Sequence, residues 1–89
     1  MPTIHLLIKG KVQGVFYRAS AKKIAESLSV KGWIRNKKNA HVEALATGTE
    51  LQLTAFIDWC KQGPKGAKVD EVIETVQEDG SFDSFSIMR

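Results

Sequence analysis

The stretch Gly10-Lys11-Val12-Gln13-Gly14-Val15-Phe16-Tyr17-Arg18 is the part of this chain best equipped to hold an anion. An alternating apolar pattern runs into it and a helical pattern runs out. Its backbone amides therefore gather at a strand-to-helix turn with no evident ladder partner. Free amides and a helix N-terminus together offer partial positive charge. Arg18 closes the stretch, and its planar fork of donors matches phosphate or carboxylate oxygens better than an ammonium group does. The segment reads as a phosphate cradle. The same residues also suit a plain strand-to-helix turn carrying a surface arginine, and the spacing alone leaves both readings open. Two nucleotide motifs are excluded: the Gly-Lys-Ser/Thr ending of a Walker loop is absent, and so is the third glycine of a dinucleotide fingerprint.

The elements that must position this loop follow from periodicity. Thr3 to Lys9 alternates, with Ile4, Leu6 and Ile8 on one face, which predicts a strand. Ala21, Ile24, Ala25 and Leu28 keep helical spacing, while Lys22, Lys23 and Glu26 take the opposite side. Val30 to Arg35 and Ala40 to Thr47 read as two strands joined by the turn residues Asn36-Lys37-Lys38-Asn39. Thr49 and Gln52 form a capping-box pattern ahead of the apolar stripe Leu53, Phe56, Ile57 and Cys60, and Gly63-Pro64 ends that helix. Lys68 to Val76 and Phe82 to Met88 supply the last strands, with Asp79-Gly80-Ser81 between them.

This order is β-α-β-β-α-β plus a short C-terminal strand. Two helices with one apolar stripe each cover one face of an antiparallel sheet. The expectation is an α+β, ferredoxin-like sandwich formed by a single domain over residues 1–89. That fold hosts enzymes, metal carriers and RNA binders, so it does not decide function.

Composition narrows the classes. With 89 residues, 43% hydrophobic and 26% charged, the chain has the make-up of an ordinary water-soluble domain. No apolar run approaches the roughly 20 residues that span a bilayer. Met1 to Ile8 is too short for a signal peptide, and the lone Cys60 falls on an apolar helix face as an inert buried thiol; both point to the cytoplasm. A net charge of +3 suits a small anionic substrate and lacks the dense basic stripe of a nucleic-acid binder. His5 and His41 stand far apart and no Cys or His pair has ligand spacing, so neither a metal nor an organic cofactor is expected.

Gly10 to Arg18, read as G-x-V-Q-G-V-x-(F/Y)-R, resembles the first signature of the acylphosphatase family. Gly32-Trp33-Ile34-Arg35-Asn36, followed after a short turn by Val42-Glu43, resembles the second. Phe56-Ile57-Asp58-Trp59, Gly63-Pro64 with Ala67-Lys68-Val69, and Phe85-Ser86-Ile87 are also similar to family positions, so the likeness covers nearly the whole chain. It implies hydrolysis of acyl phosphates to a carboxylate and inorganic phosphate, with no metal and no phosphoenzyme. It also implies that Arg18 binds the substrate and that Asn36 holds the attacking water. Ala40 stands where the family usually has glycine, and Phe16 where it often does. A positive φ at Ala40 would cost on the order of 1 kcal/mol, unless Asn39 takes the left-handed conformation instead.

These few groups suffice for the chemistry. A carboxylic acid has a pKa of about 4 and leaves as an anion at neutral pH, so no general acid is needed. Phosphoryl transfer then asks mainly for positioning and charge neutralisation. Gln13, Gly14, Val15, Phe16, Tyr17 and Arg18 form the expected substrate-binding set, through the loop amides and the Arg18 guanidinium, with Asn36 aiming a water in line. Elsewhere, Trp33 and Trp59 are expected to pack, His5 and His41 to lie half-exposed on strands, and Lys37 and Lys38 to border Asn36 as solvated cations. The expected partner is a small acyl phosphate, with no nucleic acid and no membrane, and the chain is expected to be a monomer. Two other readings remain at this point: an RNA-binding module on the same fold, and a phosphate-binding module without turnover. The first is disfavoured by an aliphatic strand before the cradle and by Phe16-Tyr17-Arg18 falling in a loop.

Overall fold

A computed structural model describes residues 1–88. Seven elements follow one another: β1 (Thr3–Lys11), α1 (Tyr17–Ser27), β2 (Lys31–Asn36), β3 (Val42–Thr47), α2 (Glu50–Gln62), β4 (Lys68–Gln77) and β5 (Phe85–Ile87). The five strands form one sheet in the order β4-β1-β3-β2-β5.

Strand alternation sorts the residues into two faces. The register places Leu6 opposite Ala44, Ile34 opposite Ala44, and Ile8 opposite Val42. All of these are fully buried, and they meet Tyr17, Ala21 and Ala25 of α1 and Leu53, Phe56, Ile57 and Cys60 of α2. Both helices therefore cover this face. Asn36 lies two residues beyond Ile34 and opposite Val42, so it belongs to the helix-covered face at the strand's end. Arg35 and Glu43 pair across β2 and β3 on the other face.

β5 corrects the expectation of an antiparallel sheet. Four strands are antiparallel, but β5 runs parallel to β2, pairing Gly32 with Phe85 and Ile34 with Ile87. The reason is topological. β4 occupies the far edge beside β1, so the chain must cross the end of the sheet before it can reach the free edge of β2. That crossing is fastened as it goes: the Gly80 amide donates to Thr3 Oγ1 at 2.9 Å, and Lys31 Nζ donates to the Asp83 carbonyl at 3.1 Å. The Gly32 amide then donates to the Ser84 carbonyl at 3.0 Å. The strand's return brings Phe85 into the core, edge-on to Phe56 with ring centroids 5.5 Å apart.

The opposite end of the sheet is where β1 and β2 finish. β1 carries an irregularity between Lys9 and Gly10 in its pairing with β4. Gly10 sits at φ 131°, and a Cβ there would collide with the Lys68 carbonyl oxygen, so only glycine lets the two backbones approach.

Candidate active site

The chain leaves β1, buries Val12, and turns through Gly14 at φ 74° and Phe16 at φ 61°. Two left-handed residues within three positions fold the loop back on itself. α1 then begins at Tyr17 with Phe16 as its N-cap residue. No side chain caps it and its first turn holds no acid. The first intrahelical bond runs from the Ser20 amide to the Phe16 carbonyl at 3.0 Å. The amides of Tyr17, Arg18 and Ala19 thus precede the helical ladder and have no side-chain acceptor.

Those three residues line one cavity of about 370 Å³. Gly14 and Phe16 form part of its wall, as do Val12, Asn36 and Ile87. The two residues singled out for chemistry, 18 positions apart, are brought to one hollow between the start of α1 and the end of β2. Among the described residues Arg18 makes no ion pair. The wall offers a guanidinium, helix-terminal amides and a carboxamide, which suits a tetrahedral anion and a water beside it.

The remaining cradle residues divide their work. Tyr17 is 1% exposed, and its ring packs against Trp59 with centroids 5.4 Å apart. Its hydroxyl donates to the Cys60 carbonyl at 2.7 Å. Burial, reinforced by Cys60, pushes the phenol well above its ordinary range, so it remains protonated and donating. What Tyr17 offers the cavity is backbone. Burial likewise pushes the Cys60 thiol up to about 12, in keeping with an inert core group.

Gln13 and Val15 do not line the cavity. Val15 packs against the core. Gln13 Nε2 donates to the carbonyls of Lys37 at 2.8 Å and His41 at 2.9 Å. These two residues close the loop after β2, since the Lys37 amide also donates to the His41 carbonyl at 2.8 Å. The Gln13 side chain therefore ties the cradle to the turn that follows Asn36. Sequence spacing carries no sign of this clamp, because its partners lie 24 and 28 residues downstream.

Glu43 was also missed as a positioning group. It is 5% exposed, yet its carboxylate accepts from His5 Nε2 at 2.8 Å and from Arg35 Nε, with Lys37 Nζ at 3.9 Å. Burial by itself would raise its pKa. The hydrogen bonds from His5 and Arg35, with the charges of Arg35 and Lys37, outweigh burial and hold the carboxyl below the usual carboxylate range. Arg35 and Lys37 flank Asn36 in sequence, so one carboxylate pins both neighbours on the open face. The hairpin register, which sets Arg35 opposite Glu43, is the signal that would have found it. In the turn itself Ala40 takes the left-handed conformation at φ 69°, and Asn39 instead spends its Oδ1 on the His41 amide at 3.3 Å.

The acylphosphatase family model matches residues 4–87. The chain belongs to the acylphosphatase family. It is 45% identical to the acylphosphatase of Acaryochloris marina over 100% of this chain and 99% of that one. It is 44% identical to the acylphosphatase of Syntrophus aciditrophicus over 99% and 93% of the two chains. The crystal structure of acylphosphatase from Bacillus subtilis superimposes with a TM-score of 0.97 at 30% identity, covering 100% of both chains. Family membership carries hydrolysis of acyl phosphates, a small-molecule substrate class. Among the described residues no helix is long and apolar enough to cross a membrane.

Proposed function

We propose that this acylphosphatase works without a metal, holding the phosphoryl group on the Gly14–Arg18 loop and the Arg18 fork while Asn36 aims the attacking water. The observation that carries this reading is the single cavity lined by Arg18, Asn36 and the uncapped start of α1. Preorganised donors aimed at the equatorial oxygens meet charge as it develops, without reorganising at the moment of reaction. The departing carboxylate needs no proton, which explains how a site can work with no acid or histidine in its wall. Water adds to phosphorus, the P–O bond to the acyl group breaks, and the pair leaves with the carboxylate. Gln13 and Glu43 act indirectly, by fixing the turn that follows Asn36. The protein is read as a monomer, and as cytoplasmic, the latter supported by one cysteine that is buried and free.

The test is release of inorganic phosphate from benzoyl phosphate in the presence of EDTA, for the wild type and Asn36→Ala. Turnover that survives the chelator and falls roughly 10²–10³-fold in the variant is the expected result, by analogy with loss of one oxyanion donor. Equal turnover by the two proteins would remove Asn36 from the mechanism. Loss of wild-type activity to EDTA, restored by a divalent cation, would overturn metal independence.

A further inference from the structure

Phe16 is out of place by every folding criterion. Phe16 is 83% exposed, and among the described residues it is the only aromatic residue that is mostly exposed. Its backbone sits at φ 61° and ψ 24°, a left-handed conformation that is costly for a bulky residue. The core gains nothing from a side chain in water, and glycine would adopt the same backbone without strain. A strained, exposed aromatic beside the cavity calls for a reason outside packing.

The cavity holds the matching features. Its volume of about 370 Å³ falls within the range of small-molecule sites and leaves space beyond the phosphoryl group. The Arg18 and Asn36 side chains and the amides at the start of α1 supply its polar groups, whereas the side chains of Val12, Phe16, Ala19 and Ile87 are apolar and of no use to a phosphoryl group. Ile87 arrives there because β5 pairs in parallel with β2.

We propose that Phe16 is a specificity-determining residue whose ring covers the acyl group, so that the enzyme favours acyl phosphates with flat apolar acyl groups over small ones. This rests on the acyl phosphate hydrolase reading and names the substrate class within it. Exposure in the free enzyme then becomes contact in the complex, where an aromatic ring gains from stacking on or edging against another.

The experiment compares kcat/KM for benzoyl phosphate with that for acetyl phosphate in wild type, Phe16→Ala and Phe16→Tyr. The benzoyl-to-acetyl ratio is expected to fall roughly three- to tenfold in Phe16→Ala, the factor that one aromatic contact supplies, with the change carried mainly by KM for benzoyl phosphate. Phe16→Tyr keeps the ring and is expected to keep the ratio. Loss of activity on both substrates in equal measure would show that Phe16 only shapes the loop, and would overturn the proposal while leaving the hydrolase intact. Failure of the folded wild type to turn over either substrate above the spontaneous rate would instead strike the hydrolase reading, and this proposal with it.

Discussion

α1 starts on Phe16, left-handed, with no side chain over its first-turn amides and no acid nearby. α2 starts on Thr49, in extended backbone, whose Oγ1 accepts from the Gln52 amide at 3.2 Å while Gln52 Oε1 accepts from the Thr49 amide at 2.8 Å. Glu50 adds a negative charge to that first turn, where the helix dipole welcomes it. The first turn of α1 carries Arg18, a cation at the positive end of its own helix, which the dipole opposes. Both helices do the same packing job on the same face of the sheet. They start at opposite ends of it, because α1 follows the end of β1 and α2 follows the end of the antiparallel β3. At the far end, where Thr3 Oγ1 and Thr47 Oγ1 lie 2.7 Å apart, polar groups are satisfied within the chain. At the near end the first-turn amides of α1 have no side-chain acceptor. A helix start finished by its own residues serves stability, and the proposal gives the unfinished one to an anion.

The sharpest way to break this contrast is to remove Arg18, the cation that the helix dipole opposes and that no carboxylate offsets among the described residues. Arg18→Ala is expected to lower kcat by about 10³–10⁵, the scale of arginine contributions to phosphoryl transfer, and to abolish inhibition by inorganic phosphate. Arg18→Lys restores charge but not the fork, and is expected to recover little. Steady-state kinetics with phosphate as a competitive inhibitor reads both effects. Retained phosphate inhibition in Arg18→Ala would mean that the amides alone hold the anion.

A smaller effect separates the cradle from the turn it is tied to. Gln13→Ala frees the carbonyls of Lys37 and His41 and lets the Asn36 end of β2 drift relative to the loop. Misplacement by about an ångström costs up to roughly 10² in rate, so kcat is expected to fall about ten- to a hundredfold. The inhibition constant of inorganic phosphate should move far less, because Gln13 does not line the cavity. An unchanged kcat with a lowered melting temperature would reduce Gln13 to a structural staple.

The same contrast explains what could be read in the chain before its fold was known. The start of α2 is local chemistry: Thr49 and Gln52 are three residues apart, and their types announce the cap that the structure contains. Gly63 ends the helix as its type suggests, at φ 71°. The start of α1 is different, since nothing in a phenylalanine signals φ 61°. The end of α1 is equally silent. There Ser29, at φ 60°, fills the position usually given to glycine, with the Ser29 amide on the Glu26 carbonyl and the Val30 amide on the Ala25 carbonyl. Arg18 stood out by its type at the end of the loop and Asn36 through motif resemblance, but what joins them is long-range. Strand periodicity fixes which face a residue takes and leaves open its neighbour and direction, and for that reason the parallel edge of β5 was not legible. Ile87 and the Gln13 clamp were hidden for the same reason.

Removing the finished cap tests the other side of the comparison. Thr49→Ala is expected to destabilise the protein by about 1 kcal/mol, the usual worth of an N-cap. For a chain of this size that lowers the melting temperature by roughly 4–8 °C. Activity at 25 °C should be retained, because Thr49 lies at the end of the sheet away from the cavity. A comparable loss of kcat would show that the two ends are coupled.

The smallest effect has the opposite sign. Phe16→Gly removes a left-handed strain worth about 1–2 kcal/mol. It also adds backbone freedom to the unfolded chain, which takes back about 0.4–1 kcal/mol. The ring contributes little to offset this, since most of it is already in water. The net expectation is a stability gain of up to about 1 kcal/mol in urea unfolding, the reverse of Thr49→Ala, accompanied by loss of the preference for benzoyl phosphate. A start of helix that becomes more stable when its N-cap residue is simplified is one that the fold does not require in its present form. If Phe16→Gly were instead destabilising, the ring would be packing against the loop, and the division between a structural helix start and a ligand-facing one would lose its clearest support.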